Sequence, residues 1–184
     1  GGRSLDGSDP KYLNSPETEI FEKGKNLFGL DKSAISIRKK DYAVVVEGYF
    51  DVMALHDSGI TNVVASLGTA LSSNQITLLS RSTDSKKILL NFDSDNAGIR
   101  AANRAISEVE NLAIQGQLDL RVLQLPSGKD PDEFLKDNSP SEYEALAAKS
   151  PLWMDWQIDQ SLKDLDLNKS DQFQEAVSNL VSLL

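Results

Sequence analysis

The chain has 184 residues, enough for one sizeable core and at most a small appended subdomain. It contains no cysteine, which excludes disulfides and thiolate zinc sites, and no apolar stretch approaches the length of a membrane span. Its net charge of −9 argues against a broadly basic nucleic-acid binder, yet residues 1–40 carry a net +2 and residues 41–184 a net −11. A role on nucleic acid would therefore need a local basic patch, or cations held by the acidic part.

Residues 1–40 open on an extended polar run, GGRSLDGSDPKYLNSPET, followed by one or two helices ending in IRKK. A start so long and polar is expected to be a cut inside a larger fold. Tyr42–Glu47 is a short β-branched run bounded by Asp41 and Gly48, the pattern of a strand buried on both faces. A short helix follows, with Asp51 near its start and Gly59 at its end. Thr61–Ser66 reads as a second strand, and the next helix is capped by Ser72 or Ser73. Lys87–Phe92 is the third strand. A long amphipathic helix after it stops at Gly116, and Leu118–Leu125 is the fourth strand, running into the turn-rich PSGKDPDEF. Residues 141–184 hold three helices, about Glu142–Lys149, Leu152–Lys163 and Asp171–Leu183, with Trp153 and Trp156 on one face as core residues. Repeated β–α units predict an α/β fold: a parallel sheet with right-handed crossovers, flanked by helices.

Ligands of such sheets bind at the carboxyl ends of the strands. That rule gathers six carboxylates at one edge. Glu47 ends the first strand and Asp51 follows it; Asp93 and Asp95 end the third; Asp130 and Asp132 follow the fourth. Each has an ordinary explanation as a helix cap or turn residue, Asp95 and Asp130 above all. Their coincidence on one edge instead suits Mg²⁺ or Mn²⁺, which take carboxylate and water oxygens and bind substrate phosphates. Two look-alikes compete with this reading. The run from Asp93 fails as an EF-hand loop, because Ala97 stands at its fifth position and Arg104 at its twelfth. A phosphorylated receiver domain could be imitated by Glu47, Asp51, Asp93 and Lys129, but Asp130 and Asp132 would repel its phosphoryl group.

The stretches VVVEGYFDVMAL, ASLGTAL, NFDSDNAG and LPSGKDPDEF, in this order, resemble the TOPRIM domain of bacterial replicative DNA primases. The preceding GGRSLDGSDPKYLNSPETEIFEKGKNLFGL resembles the part of primase that leads into TOPRIM. The resemblance implies an end of the N-terminal polymerase subdomain over 1–40, a TOPRIM domain over 41–138 and a C-terminal helical subdomain over 139–184. It implies Glu47, Asp93 and Asp95 as catalytic carboxylates holding two or more Mg²⁺ or Mn²⁺ ions. Asp51, Asp130 and Asp132 would be further ligands or their partners. Arg3, Lys11, Tyr12, Asn14 and Lys23 match positions that meet nucleotide phosphates or template.

The implied activity is nucleotidyl transfer: RNA primers made from nucleoside triphosphates on single-stranded DNA, in the cytoplasm at the replication fork. The alternatives are another TOPRIM enzyme, a nuclease or topoisomerase, or the receiver-like phosphoacceptor. The family's zinc domain and helicase-binding domain have no counterpart in these residues, so no zinc is expected here, and contact with the replicative helicase would run through a domain absent here. The isolated fragment is expected to be weakly active or inactive. No membrane contact is expected, and His56 is read as a surface or packing residue.

Overall fold

The computed structural model describes the backbone of residues 2–3, 12–13, 15–66 and 71–183, and the side chains of residues 15–66 and 71–183 except Ser127. Within the N-terminal run, β1 (Gly2–Arg3) and β2 (Tyr12–Leu13) are extended and form a small antiparallel pair. A single 3₁₀ turn (Lys23–Lys25) and one helix, α1 (Leu30–Lys40), follow.

The sheet has four strands, all parallel: β3 (Tyr42–Val46), β4 (Val63–Ala65), β5 (Lys87–Asn91) and β6 (Asp119–Val122), in the order β4-β3-β5-β6. All four are shorter than the sequence suggests, β3 and β5 by one residue, β4 by three and β6 by four. The last pair of β4 is Val46 with Ala65, and that of β6 is Leu90 with Val122. The crossovers are α2 (Tyr49–Asp57), α3 (Ser73–Ser80, capped by the Ser72 hydroxyl) and α4 (Asn96–Ile114). In KDPDEF, Lys129 and Asp130 lead into a helix, α5 (Pro131–Asp137), with Asp130 as its cap and Pro131 in its first turn. Then come α6 (Pro140–Ala148), α7 (Trp153–Leu162) and α8 (Ser170–Val181). Among the described residues no helix is long and apolar enough to cross a membrane.

Alternation along β3 divides the core in two. Ala43 and Val45 face one side, with Ile76 and Leu79 of α3, Ala102 and Ile106 of α4, and Trp153 and Trp156 of α7. Val44 and Val46 face the other, with Val52 and Leu55 of α2, Phe134 of α5, and Tyr143 and Ala147 of α6. Both sheet faces are dry, which is why the strand carries no polar alternation. Helices α6 and α7 thus pack on the sheet itself. The open edges are also covered. Phe28 exchanges both backbone hydrogen bonds with Ala65 on the outside of β4 (2.8 and 3.2 Å). Across the sheet, Leu152 bridges Arg121 and Val122 N–H donates to the Pro151 carbonyl (3.2 Å) on the outside of β6.

One polar contact crosses the second core half. The Tyr143 hydroxyl, wholly buried, donates to Asn91 Oδ1 (2.7 Å), and the Asn91 amide donates to the Leu123 carbonyl (3.2 Å). Removing the hydroxyl leaves a buried acceptor without its donor. Tyr143→Phe is expected to lower stability by roughly 1–3 kcal/mol, read as a shift of the urea unfolding midpoint at constant slope.

Candidate active site

The strand order reverses between β3 and β5: one crossover leads outward to β4, the other to β6. A crevice opens at the carboxyl ends of strands flanking such a reversal. Glu47 directly follows β3 and Asp93 lies two residues beyond β5. They meet across the crevice, where Asp93 N–H donates to Glu47 Oε1 (3.2 Å).

Two glycines make this geometry possible. Asp51, in the first turn of α2, folds back so that Oδ2 accepts Gly48 N–H (3.1 Å). A Cβ at Gly48 would stand 2.7 Å from that same oxygen. In the first turn of α4, Gly98 lies directly on the Asp93 backbone, and a Cβ there would come within 2.0 Å of the Asp93 carbonyl oxygen. Asp95 caps α4, its Oδ1 accepting the N–H groups of Ala97 (2.9 Å) and Gly98 (2.8 Å). Asp130 does the same for α5, with Oδ1 accepting Glu133 N–H (2.7 Å). Asp132 turns outward to Lys136 (3.0 Å).

The carboxylates act on one another through a shared member, Asp93. Burial raises the Glu47 carboxyl above its usual range; the Asp93 N–H opposes this, and the charges of Asp93 and Asp95 raise it further. Asp51 is pushed up to about 7, first by burial, then by Asp130 and Asp93, against the N–H groups of Gly48 and Asp132 that lower it. A divalent cation fits this chemistry: every donor is a hard oxygen, and its charge would remove the repulsion. Among the described residues no three His, Cys, Asp or Glu side chains converge as a ready-made cage.

Other residues singled out from the sequence sit as follows. Arg3 and Tyr12 are cross-strand partners in the β1–β2 pair. Lys11, Asn14 and Leu67–Ala70 of the ASLGTAL run lie outside the described residues. Lys23 begins the 3₁₀ turn; its N–H donates to the Glu17 carboxylate (3.1 Å) and its carbonyl accepts the Gln75 amide (2.9 Å). His56 packs between elements, with Nε2 3.1 Å from the Val63 carbonyl and 3.2 Å from Ser33 Oγ. Lys129 pairs with Asp137.

The sequence reading missed Arg104. Its Nε donates to the Arg100 carbonyl (3.2 Å), folding the guanidinium back toward the start of α4, and its charge lowers Glu47. Two arginines four apart behind the paired aspartates were the available signal.

A family model described as Toprim-like matches residues 44–135, the segment from β3 into α5 that holds all six carboxylates. The chain belongs to the Toprim-like family. A second model, the N-terminal domain of the DNA primase catalytic core, matches residues 1–34. The chain is 63% identical over all of its 184 residues to a DNA primase of Synechococcus elongatus, of which it spans 26%. Among solved structures, a DNA primase domain from Pseudomonas aeruginosa superposes with a TM-score of 0.83 at 38% identity, covering 99% of this chain and 55% of that one. A DnaG primase catalytic domain bound to single-stranded DNA gives 0.80 at 35% identity, covering 100% of this chain and 59% of that one. The chain is therefore homologous to bacterial DNA primases over its whole length, and this favours neither the nuclease and topoisomerase alternatives nor the receiver.

Because the Gly98 position admits no Cβ without moving the Asp93 backbone, Gly98→Ala is expected to cost roughly 2–4 kcal/mol in chemical denaturation.

The raised carboxyl of Asp51 also sets a pH dependence. The folded state holds this proton more tightly than the unfolded chain, so the group's contribution to stability is full below about pH 4 and lost as pH rises toward 7. Asp51→Asn keeps an oxygen for Gly48 N–H and carries no charge. In chelator-treated buffer it is expected to be more stable than wild type at pH 7.5 by on the order of 1–3 kcal/mol. Melting curves taken down to pH 4 should show that difference vanish.

Proposed function

We propose that this chain carries the nucleotidyl-transfer centre of a DNA primase, which joins nucleoside triphosphates into RNA primers on single-stranded DNA. The observation that carries this reading is the coupled set of Glu47, Asp93 and Asp95 at the strand-order reversal, in a chain homologous to primases over its whole length. The relative bound to single-stranded DNA supports the template assignment. Glu47, Asp93 and Asp95 would hold Mg²⁺ or Mn²⁺, with Asp51 and Asp130 beside them and Asp132 at the rim. When bound, such ions lower the pKa of an attacking hydroxyl and stabilise a departing pyrophosphate.

The chain's own residues set the stage for that chemistry. Asp93 N–H orients the Glu47 carboxylate across the crevice, and the Asp95 cap fixes the first turn of α4 beneath it. Arg104 supplies the nearby positive charge. Arg3, Lys11, Tyr12, Asn14 and Lys23 are assigned to nucleotide phosphates or template. The division into an end of the polymerase subdomain (1–40), the Toprim-like domain (41–138) and a helical subdomain (139–184) belongs to the same proposal. The receiver reading loses its lysine, since Lys129 is engaged by Asp137 on the next helix.

Calorimetric titration with Mn²⁺, with and without a nucleoside triphosphate, tests the proposal. The wild-type chain should bind Mn²⁺, nucleotide should tighten that binding, and Glu47→Gln and Asp93→Asn should each weaken it at least about tenfold, or about 1.4 kcal/mol. Variants that bind Mn²⁺ as well as wild type would reduce the acidic edge to caps and turns.

A further inference from the structure

The opposite edge of the sheet, where the strands begin, has the opposite charge. Helix α1 ends at Lys40 and β3 begins at Tyr42, the turn being made in one residue by Asp41 in the left-handed conformation (φ 60°). Arg38, Lys39 and Lys40 therefore stand at the foot of β3. Next to them is the link between α3 and β5, which carries Arg81 and Lys86 and leads into Lys87, the register partner of Tyr42. The two segments are tied together. The Asp41 carboxylate accepts the N–H groups of Asp84 (2.6 Å) and Ser85 (3.1 Å), and Ser85 Oγ donates to the Asp41 carbonyl.

Six cations thus share one edge of a chain whose residues 41–184 carry a net charge of −11. Lys40 pairs with Glu144 (2.6 Å), and Lys87 lies 5.6 Å over the Tyr42 ring. Among the described residues Arg38, Lys39, Arg81 and Lys86 form no salt bridge, and all four are exposed. The anions alongside are Asp41, spent on backbone N–H groups; Asp84; Glu144, held by Lys40; and Asp119, the register partner of Lys87, whose carboxylate is held by Arg121 (3.0 Å).

Cations in the last turn of a helix offset its dipole, which accounts for Arg38–Lys40. It does not account for Lys86 and Lys87, which open a strand. Lys86 moreover adopts the left-handed conformation (φ 55°), where glycine or asparagine is comfortable and lysine is not. Backbone strain at an exposed lysine points to a function for that position.

We infer that this edge is a second binding surface, which takes the phosphate backbone of a single-stranded nucleic acid on the side of the sheet away from the acidic cluster. Strands of four to five residues separate the two edges by roughly 15 Å, so a strand on this surface is anchored without entering the acidic crevice. The cations from two segments offer several phosphate contacts, and phosphates carry no sequence, which predicts binding with little sequence preference. The choice of nucleic acid over an acidic peptide rests on the primase reading.

The test is fluorescence anisotropy of the 184-residue chain with a labelled oligo-dT of about 20 nucleotides and, separately, a labelled poly-glutamate peptide, across about 50–200 mM salt. Arg38→Ala/Lys39→Ala/Lys86→Ala should weaken oligo-dT binding about five- to tenfold and reduce the log–log salt slope by about two. Lys149→Ala/Lys163→Ala, which removes two cations elsewhere, should leave both unchanged. Lys86→Gly suits the left-handed backbone, so it should keep or raise the melting temperature while still weakening binding about two- to threefold. The proposal is overturned if the triple variant and Lys86→Gly bind oligo-dT like wild type. It is equally overturned if they lose only the peptide, which would assign the edge to an acidic protein partner. Mn²⁺ titration of the triple variant keeps the two readings apart: a failed Mn²⁺ result sinks the polymerase centre, and an unchanged salt slope sinks this surface.

Discussion

The contact on which the site depends is the ladder between β3 and β5, with Val46 opposite Asn91 at its end. Parallel pairing in register brings two strand ends level, so the residues that follow must emerge side by side. Glu47 follows β3 at once and Asp93 comes one residue past Phe92, the counterpart of Glu47 after β5, and the 3.2 Å bond from Asp93 N–H to Glu47 closes the gap. Neither carboxylate has been carried there by a flexible loop. Both faces of the ladder are buried against helices, so a one-residue slip would turn Val44 and Val46 into the opposite core and move Glu47 off the crevice. Packing of the sheet and placement of the acids are the same event.

That fixity makes the caps observed in the acidic loops compatible with the cation binding proposed for them. A carboxylate has two oxygens, and caps occupy little of that capacity: the N–H bonds to Asp95 both end on Oδ1, as does the Glu133 N–H bond to Asp130. Capping and cation binding are therefore compatible, because each N–H bond also orients the carboxylate it holds. Burial nevertheless raises Glu47 and Asp51, and mutual repulsion adds to it. The chain tolerates that only because the surrounding ladder and the helix starts are stable enough to absorb it.

Much of this was legible in the sequence. Alternation of apolar runs with amphipathic segments gave the parallel sheet, and the strand-end rule gave the acidic edge. Ser72 was visible as a cap, and Trp153 and Trp156 as core. What escaped depended on contacts between segments far apart in sequence. The Tyr143–Asn91 bond joins residues from α6 and β5, and nothing local marks either as a partner. The start of α5 was visible in Pro131 and the acids after Asp130, but its length was not. Arg104 lies eleven residues after Asp93, and only the folding back of its side chain brings it to bear on Glu47. The short β1–β2 pair lacks any apolar period.

The flanks of the sheet show why the segment before β3 and the helices after α5 belong with it. A four-stranded parallel sheet has two bare edges, each a row of unpaired backbone groups. Phe28 closes one and the Pro151–Leu152 segment the other. The closing is reinforced from the side: the buried Gln75 amide holds the Lys23 and Asn26 carbonyls (2.9 and 2.6 Å), and Arg121 donates to the Ser150 carbonyl (3.0 Å). Residues 23–28 are thereby fixed to α3 and β4, so Lys23 holds a defined position relative to the strands that carry Glu47 and Asp93. Loosening Gln75 would disturb that position without touching a single carboxylate, so the edge cover is what ties the segment before β3 to the strands that end in the acidic crevice.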